Sequence, residues 1–446
     1  MTSWRAYFLI TLYRGLLFPL AFILSLTVGS LMSPKIRQGL WGRWKQRQGP
    51  PAKAPPQSLR FLIHAASGEF EYAKPLIRAL KEAHPQCQIT VTYFSPSFAS
   101  SVHQFPQVDQ AFYLPLDWPW SCSAFLDRVQ PHLVLIARTD LWPEWLWQCR
   151  RRQIPTWVFS MTKKPVNPGS LSGRLRRWLR PLEAFPIRLL ESVHCVSAED
   201  EKELRTLGVD PLKIKVSGDT RYDQVLFRRK NPKSLKMELK PQDSVNRLVL
   251  VAGSTWPEDE EALLQAAESL LHQNKLRLLI APHEPTPNHL GQLEALLKSR
   301  NLSFDHYSRC QGPWNSPVLL IDRVGVLADL YSWGQLSLVG GSFRSLVHSV
   351  MEPLASGRLT LVGPYNQNNR EAQQFMHLAL PNLGYRMVTQ VQSATDLQQL
   401  LEDLIGRATD LRATQPLITE EIDRRGGASQ ALVQIISQNL QGTAGL

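Results

Sequence analysis

The sequence predicts an α/β protein with two Rossmann-like domains facing a cleft and an N-terminal membrane-anchor helix. Three observations predict it. Short apolar, β-rich runs alternate with helical stretches, and the alternation occurs twice. A polar, lysine-rich stretch at 231–246 separates the two series. A nearly unbroken apolar run covers residues 7–32. Alternation of this kind implies βαβ units and a doubly wound sheet. Continuous apolar runs suit parallel strands covered on both faces. The 446 residues exceed one ordinary core and fit two domains. The resulting division is 1–34 anchor, 35–57 basic and proline-rich tether, 58–230 first domain and 231–446 second domain.

The anchor run, YFLITLYRGLLFPLAFILSLTVGSLM, carries one charge, Arg14. About 20 apolar residues suffice to cross the hydrocarbon core. Arg14 weakens the case for a centred span, and a helix lying in the interface is the alternative. The following KIRQGLWGRWKQR is basic and carries Trp41 and Trp44. Basic residues beside a span mark the cytoplasmic side, and tryptophans favour the interface. The body of the protein after the anchor is therefore expected on the cytoplasmic side of the membrane. Residues 49–57, GPPAKAPPQ, read as a proline-rich tether. Every candidate site residue follows it, so a chain beginning near Pro50 is expected to fold and keep activity.

Strands are expected at 60–65, 88–94, 133–137, 156–160 and 193–196 in the first half. In the second half they are expected at 247–252, 276–281, 318–321, 336–339 and 359–362. Ligands of open α/β sheets bind beyond the carboxyl ends of the strands, and the candidate residues lie there.

The first strand runs into HAASGEFEYAK. Small residues admit a substrate to the backbone, and the helix N-terminus offers free N–H groups. Glu69 suits a general base taking a proton from an alcohol. It equally suits a first-turn glutamate complementing the helix dipole. After the third expected strand, Arg138 and Asp140 form a charged patch or a helix cap. Arg221, in SGDTRYD, suits a phosphate or carboxylate partner. In the second half, Gly253, Ser254 and Thr255 read as a strand-to-helix turn suited to an anion or to ordinary capping. Pro282 and His283 follow the next strand. Gly340, Gly341 and Ser342 form a flexible turn. His348 and Glu352, four apart, are expected on one helix face, where a carboxylate can hold ribose hydroxyls.

Composition narrows the class of function. The net charge of +12 favours phosphate-rich partners. Five cysteines form no CxxC pair, which disfavours a zinc site or a disulfide framework. No P-loop, HExxH, GxSxG elbow or nucleic-acid-binding motif is present. No metal and no cofactor are expected. The arginine clusters at 150–152, 174–180 and 228–230 fit nucleic acid by charge. Beside a membrane anchor they more plausibly face lipid phosphates, so nucleic acid is not an expected partner.

Together the segments HAASGE, YLPLDWP, DLWP, SGDTRYD, GSTWPEDEE, APHE, VGGSF, HSVMEP and VGPYNQNNREA resemble the Kdo (3-deoxy-D-manno-octulosonic acid) transferases of lipopolysaccharide assembly. These enzymes have the glycosyltransferase-B fold. Each segment alone is weak, but nine in the right order are specific, and they cover nearly the whole chain. The resemblance implies a CMP-Kdo donor in the second domain and a lipid A precursor acceptor in the first. Glu69 matches the family's catalytic glutamate, which deprotonates an acceptor hydroxyl so that CMP leaves with inversion. Nucleotide contacts carry over to Pro282, His283, Val324, Gly325 and Val326, and to Ser349, Val350, Met351 and Glu352.

The chain also departs from the family. Ser67-Gly68-Glu69 is one residue shorter than the family's usual loop. Arg138 stands where a glutamate is common, Arg221 where a lysine is usual, and Glu144 and Ser349 where asparagines are common. Competing readings are a membrane-tethered protein that binds nucleotide sugars without catalysis, or a UDP-sugar transferase acting on a lipid carrier.

Overall fold

The computed structural model describes residues 4–24, 27, 33–46, 58–163, 171–233, 235–241 and 247–444. It divides into two compact units, Met1–Gln224 with Arg425–Leu446, and Val225–Arg424.

The first unit is built on seven parallel strands: β1 (Arg60–His64), β2 (Gln88–Tyr93), β3 (Gln110–Tyr113), β4 (Leu133–Ala137), β5 (Thr156–Met161), β6 (Ser192–Cys195) and β7 (Ile214–Val216). Their order is β3-β2-β1-β4-β5-β6-β7. The period of two explains why the strands are apolar throughout. Leu62, Val134 and Ile136 enter the core on one side of the sheet. Phe61, Ile63 and Leu135 enter the core on the other. The helix Phe70–Ala83 buries Phe70, Ala73, Leu76, Ile77 and Leu80, the spacing of one helical face.

The chain's last helix, Ala428–Ala444, belongs with this unit. Its Leu432, Val433 and Ile436 join the core under β1 and the helix Phe70–Ala83. The Asp223 carboxylate accepts the N–H groups of Gly427 and Ser429 at 2.5 and 2.7 Å. A second domain running from 231 to the C-terminus was expected. The structure instead returns the chain to the first unit at Arg425, because an apolar helix face completes that core.

The N-terminal residues form the expected apolar helical segment and also pack on the first unit. They form the helix Trp4–Leu12, a π-turn Tyr13–Leu17 and the helix Phe18–Leu24. Ala6–Leu24 is long and apolar enough to cross a membrane, by length and composition. One side of it packs on the first unit. Ile10 is buried in that unit's core, and Phe18 meets Trp118 edge-on at 4.9 Å. The Tyr13 hydroxyl donates to Asp117 at 2.7 Å. Arg14 donates to both oxygens of Glu144, at 2.6 and 2.9 Å. The other side leaves Leu16, Leu20, Ile23 and Leu24 exposed. A chain beginning near Pro50 would leave Glu144 buried without this cation and the Ile10 slot empty, so the expectation that it folds unimpaired is withdrawn. The helix Pro34–Gln46 occupies the start of the expected tether. Residues 47–57 lie outside the described residues, as does part of the stretch 231–246.

The second unit repeats the architecture with β8 (Leu248–Thr255), β9 (Leu276–Pro282), β10 (Phe304–His306), β11 (Val318–Leu320), β12 (Leu336–Val339) and β13 (Leu359–Val362). A small hairpin, β14 (Ala379–Leu380) with β15 (Tyr385–Arg386), precedes β16 (Val388–Gln390). The parallel sheet runs β10-β11-β9-β8-β12-β13-β16. Successive connections change direction between β1 and β4 in the first sheet and between β8 and β12 in the second. Such a switch point opens a crevice at the strands' carboxyl ends, where ligands of this architecture bind.

Candidate active site

Glu69 lies at the switch point of the first sheet, five residues beyond the end of β1, as the N-cap of the helix Phe70–Ala83. Its Oε2 accepts the Ser67 N–H at 2.9 Å and the Ser67 hydroxyl at 3.0 Å. Both bonds fall on one oxygen, so the half-buried carboxylate is oriented while Oε1 stays available.

Arg138 follows β4 across the switch point. Its φ of 67° is unusual for a residue with a Cβ, and its N–H is bonded to the Phe159 carbonyl. The side chain donates to the Tyr72 hydroxyl at 2.7 Å, with its guanidinium 4.8 Å from that ring's centre. Arg221 approaches the same hydroxyl at 3.5 Å and the same ring at 5.6 Å. Arg221 is positioned through its neighbour Thr220, whose hydroxyl donates to the Tyr72 carbonyl at 2.8 Å and whose N–H donates to Ser160 at 3.0 Å. Two guanidinium groups converging on one phenol make a local positive potential suited to an anion. Tyr72 was not anticipated. Its place three residues after Glu69, on a neighbouring part of the same helix surface, was the available signal.

Asp140 is held differently. The buried His64 at the end of β1 donates Nε2–H to it at 2.8 Å, and the Trp142 indole N–H donates at 3.1 Å. The His64 Nδ1 faces the Thr92 hydroxyl at 3.0 Å and the Thr92 carbonyl at 3.1 Å. Burial raises the Asp140 carboxyl, but the His64 and Trp142 hydrogen bonds and nearby positive charge outweigh it, and the net direction is below the ordinary value. Asp140 is therefore a carboxylate and a poor proton acceptor at neutral pH.

The second unit's candidate residues gather at its own switch point. Gly253, Ser254 and Thr255 prove to be the bulged end of β8 rather than a turn. The register shifts between Gly253 and Thr255, and Ser254 has φ 57°. Thr255 is buried and donates to Glu260 at 2.7 Å. A Cβ on Gly340 would lie 2.2 Å from the Ser254 carbonyl oxygen, and one on Gly341 would lie 1.9 Å from that of Leu346. The tight turn therefore requires glycine at both positions. Asp259 organises it by accepting the N–H groups of Trp256, Gly341 and Phe343 at 2.9, 2.7 and 2.9 Å. Burial raises its pKa against the lowering by these bonds. Asp259 was missed because it reads as one acid among the four of PEDEE.

His348 and Glu352 do not share a helix face. The helix is only Met351–Ala355, because the Pro353 ring clashes with a helical carbonyl four residues earlier. His348 sits in the preceding loop. Its ring stacks on His283 at 4.2 Å, His283 stacks on Trp256 at 5.1 Å, and the Trp256 indole N–H donates to His348 at 3.1 Å. Burial and the neighbouring His283 push His348 down to about 4, so it is neutral and accepts that bond.

Pro282 ends β9, and the His283 N–H donates to the Thr255 carbonyl at 2.9 Å. The Ser349 hydroxyl donates to Glu352, whose other oxygen lies 3.8 Å from Arg228. Val350, Met351, Val326 and Ser342 have buried side chains, which leaves them only backbone and shape to offer a ligand. Val324 is exposed beside Gly325 (φ 85°). Among the described residues, no cluster of His, Cys, Asp and Glu is placed to hold a metal. Of the arginine clusters, Arg152 pairs with Asp127 and Arg229 with Asp423. The side chains of 171–179 lie outside the described residues.

Comparison with known proteins agrees with this fold. Residues 42–224 match the model of the family described as 3-deoxy-D-manno-octulosonic-acid transferase (kdotransferase). The chain is 28% identical over 431 residues to the 3-deoxy-D-manno-octulosonic acid transferase of Haemophilus influenzae, covering 92% of this chain and 94% of that one. It is 24% identical to the enzyme of the same name from Aquifex aeolicus, covering 76% and 85%. The UDP-GlcNAc 2-epimerase of Neisseria meningitidis shares the fold, with a TM-score of 0.59, 15% identity and coverage of 85% and 99%. A calicheamicin glycosyltransferase shares it with a TM-score of 0.51, 13% identity and coverage of 85% and 98%.

Two Rossmann-like units, each with a switch point in its parallel sheet, define the GT-B fold class. Within that class, the chain is a glycosyltransferase similar to the Kdo transferases of lipopolysaccharide synthesis.

Proposed function

We propose that this enzyme transfers Kdo from CMP-Kdo to a hydroxyl of lipid A precursor (lipid IVA), with inversion and with Glu69 as general base. The observation that carries the reading is the Glu69 carboxylate at the switch point, oriented through one oxygen by Ser67. In the step, Glu69 Oε1 takes the acceptor's proton and the acceptor oxygen bonds to the anomeric carbon. The bond from that carbon to the phosphate oxygen breaks, and CMP departs with the electron pair.

The paired Arg138 and Arg221 suit an anionic group of a substrate, the sugar carboxylate or a phosphate. Arg138 thus supplies positive charge where relatives commonly carry a glutamate. The second unit is proposed to bind the nucleotide. The Trp256–His283–His348 stack presents aromatic surface, Glu352 holds ribose hydroxyls, and the Gly340–Gly341 turn admits phosphate close to the backbone. Preorganised N–H dipoles and positive charge stabilise the leaving phosphate.

The enzyme is further proposed to work at the cytoplasmic face of the inner membrane. Exposed Leu16, Leu20, Ile23 and Leu24 support membrane contact, as does the basic helix Pro34–Gln46 with its exposed Trp41.

The test is a mass spectrum of lipid IVA after incubation with the purified protein and a CMP-Kdo source. The expected result is a product heavier by whole Kdo residues, absent with Glu69→Gln. An unchanged acceptor, with an active relative run in parallel, overturns the proposal.

A further inference from the structure

The first unit also holds a cavity that the proposed chemistry does not use. The N-terminal helix, the helix Pro34–Gln46 and the loops after β2 and β3 enclose a cavity of about 610 Å³. This is within the range of small-ligand pockets, roughly 300–1,000 Å³. Its walls include Leu17, Phe18, Phe22, Leu40, Phe94 and Trp142.

The polar groups on its lining are already engaged. Asp117 accepts the Tyr13 hydroxyl and the N–H groups of Glu144 and Trp145. Arg43 donates to the carbonyls of Gly39, Leu114 and Phe94 at 3.0, 3.0 and 3.2 Å, and its Cζ lies 4.2 Å from the centre of the Phe94 ring. A cavity whose polar groups are satisfied holds water poorly and favours apolar matter.

Two further observations identify the occupant. First, the helix that walls the cavity presents Leu16, Leu20, Ile23 and Leu24 on its outer side, so the cavity adjoins an exposed apolar surface suited to hydrocarbon. Second, the opposite end reaches the catalytic loops. Trp142 stacks on Phe94 at 5.5 Å and donates its indole N–H to Asp140. The Phe94 N–H is bonded to the carbonyl of Ala66, in the loop that carries Glu69. Arg43 adds positive charge suited to a phosphorylated head group. A chain lying here would have hydrocarbon at one end and its head group among the strand ends at the other.

We infer that this cavity receives an acyl chain of the lipid acceptor. The inference rests on the transferase reading above and names the part of the acceptor that the first unit grips. Each buried methylene contributes roughly three- to fourfold in affinity. Shortening the bound chain by four carbons should therefore raise the acceptor KM on the order of a hundredfold.

The test fills the cavity with Ala21→Trp or Leu116→Trp in the full-length protein. KM is compared between a fully acylated acceptor and its acyl-free head group. Independently, a photoactivatable fourteen-carbon fatty acid is crosslinked to the protein, and the labelled peptides are mapped. The inference expects the filled variants to lose at least tenfold more efficiency on the acylated acceptor than on the head group. It also expects wild-type label in 13–22 and 94–117, lost on filling. Equal efficiency losses on both acceptors, with label elsewhere, overturn the cavity assignment while wild-type turnover leaves the transferase reading intact. If the wild type turns over neither acceptor, that reading fails, and the label alone decides the cavity: label at these peptides supports it, and label elsewhere or unchanged by filling overturns it. Where one filled variant does not fold, the other and the wild-type label carry the decision.

Discussion

Arg14→Ala removes the guanidinium that meets Glu144 at 2.6 and 2.9 Å. The Glu144 side chain is 0% exposed and that of Arg14 is 30% exposed, so the carboxylate cannot recover its hydration when the cation is lost. Removing one partner of a buried pair costs about 3–5 kcal/mol. Arg14 is partly solvated and Glu144 keeps the Gln148 amide at 2.6 Å, which favours the lower end, about 3 kcal/mol. For a unit of this size each kcal/mol lowers Tm by about 2–4 °C, so a fall of roughly 6–12 °C is expected. The assay is thermal unfolding in detergent, followed by tryptophan fluorescence. The double variant Arg14→Met/Glu144→Leu should recover most of the loss, because an apolar pair needs no compensation in the interior. An Arg14→Ala protein melting within a degree of wild type would refute the reasoning and return the N-terminal helix to the role of a simple anchor.

Three further outcomes are expected. Glu69→Gln should lower kcat by about a hundred- to ten-thousand-fold with donor and acceptor affinities retained; near-normal turnover in single-turnover kinetics would make Glu69 a helix cap. Glu352→Ala should weaken CMP binding in calorimetry at least tenfold, through lost charge-assisted hydrogen bonds, and an unchanged isotherm would remove Glu352 from the nucleotide site. The third concerns pH. His348, by burial and then His283, and His194, by burial and then Lys215, are both pushed down to about 4 from an ordinary value of 6.5. Between those values the unfolded chain binds protons that the fold does not. Their contribution is therefore full above pH 6.5 and is lost as pH falls toward 4. Tm measured from pH 7.5 to 4.5 should decline less steeply in His348→Gln than in wild type, and parallel curves would count against the buried, neutral ring.

The alternating strands were legible because each central strand is buried on both faces and so reads as a short apolar run. β3, β7, β10 and β16 were not, since they are short, incompletely buried or at a sheet edge, and carry residues such as Gln110, Lys215, Asp305 and Gln390. Glu69, Arg138 and Asp140 were legible as polar residues beyond apolar strands. The pairings of Arg138 with Tyr72 and of Asp140 with His64 were not, because contacts across neighbouring elements leave no spacing in the sequence. The His348 to Glu352 helix was misread because Pro353 lies near the start of the helix Met351–Ala355 and limits it on the side of His348, not only beyond Glu352. The return of the last helix to the first unit has only one local sign, an Asp223 whose partners, Gly427 and Ser429, lie about 200 residues away.

The two units arrive at related solutions by different chemistry. Each switch point sets a loop after the sheet's first strand beside a loop after the strand across the reversal. In the first unit those loops carry opposite charges, Glu69 against Arg138, and the site remains polar and partly open. In the second they are packed too closely for side chains, as Gly340 against Ser254 requires, and Asp259 ties them through backbone N–H groups. A site built from backbone holds its shape against exchange of surface residues, which suits recognition of an invariant nucleotide. A site built from long side chains changes with single substitutions. Arg138 lies on the first unit, so on the proposed reading a change of acceptor chemistry would be accommodated there at small structural cost.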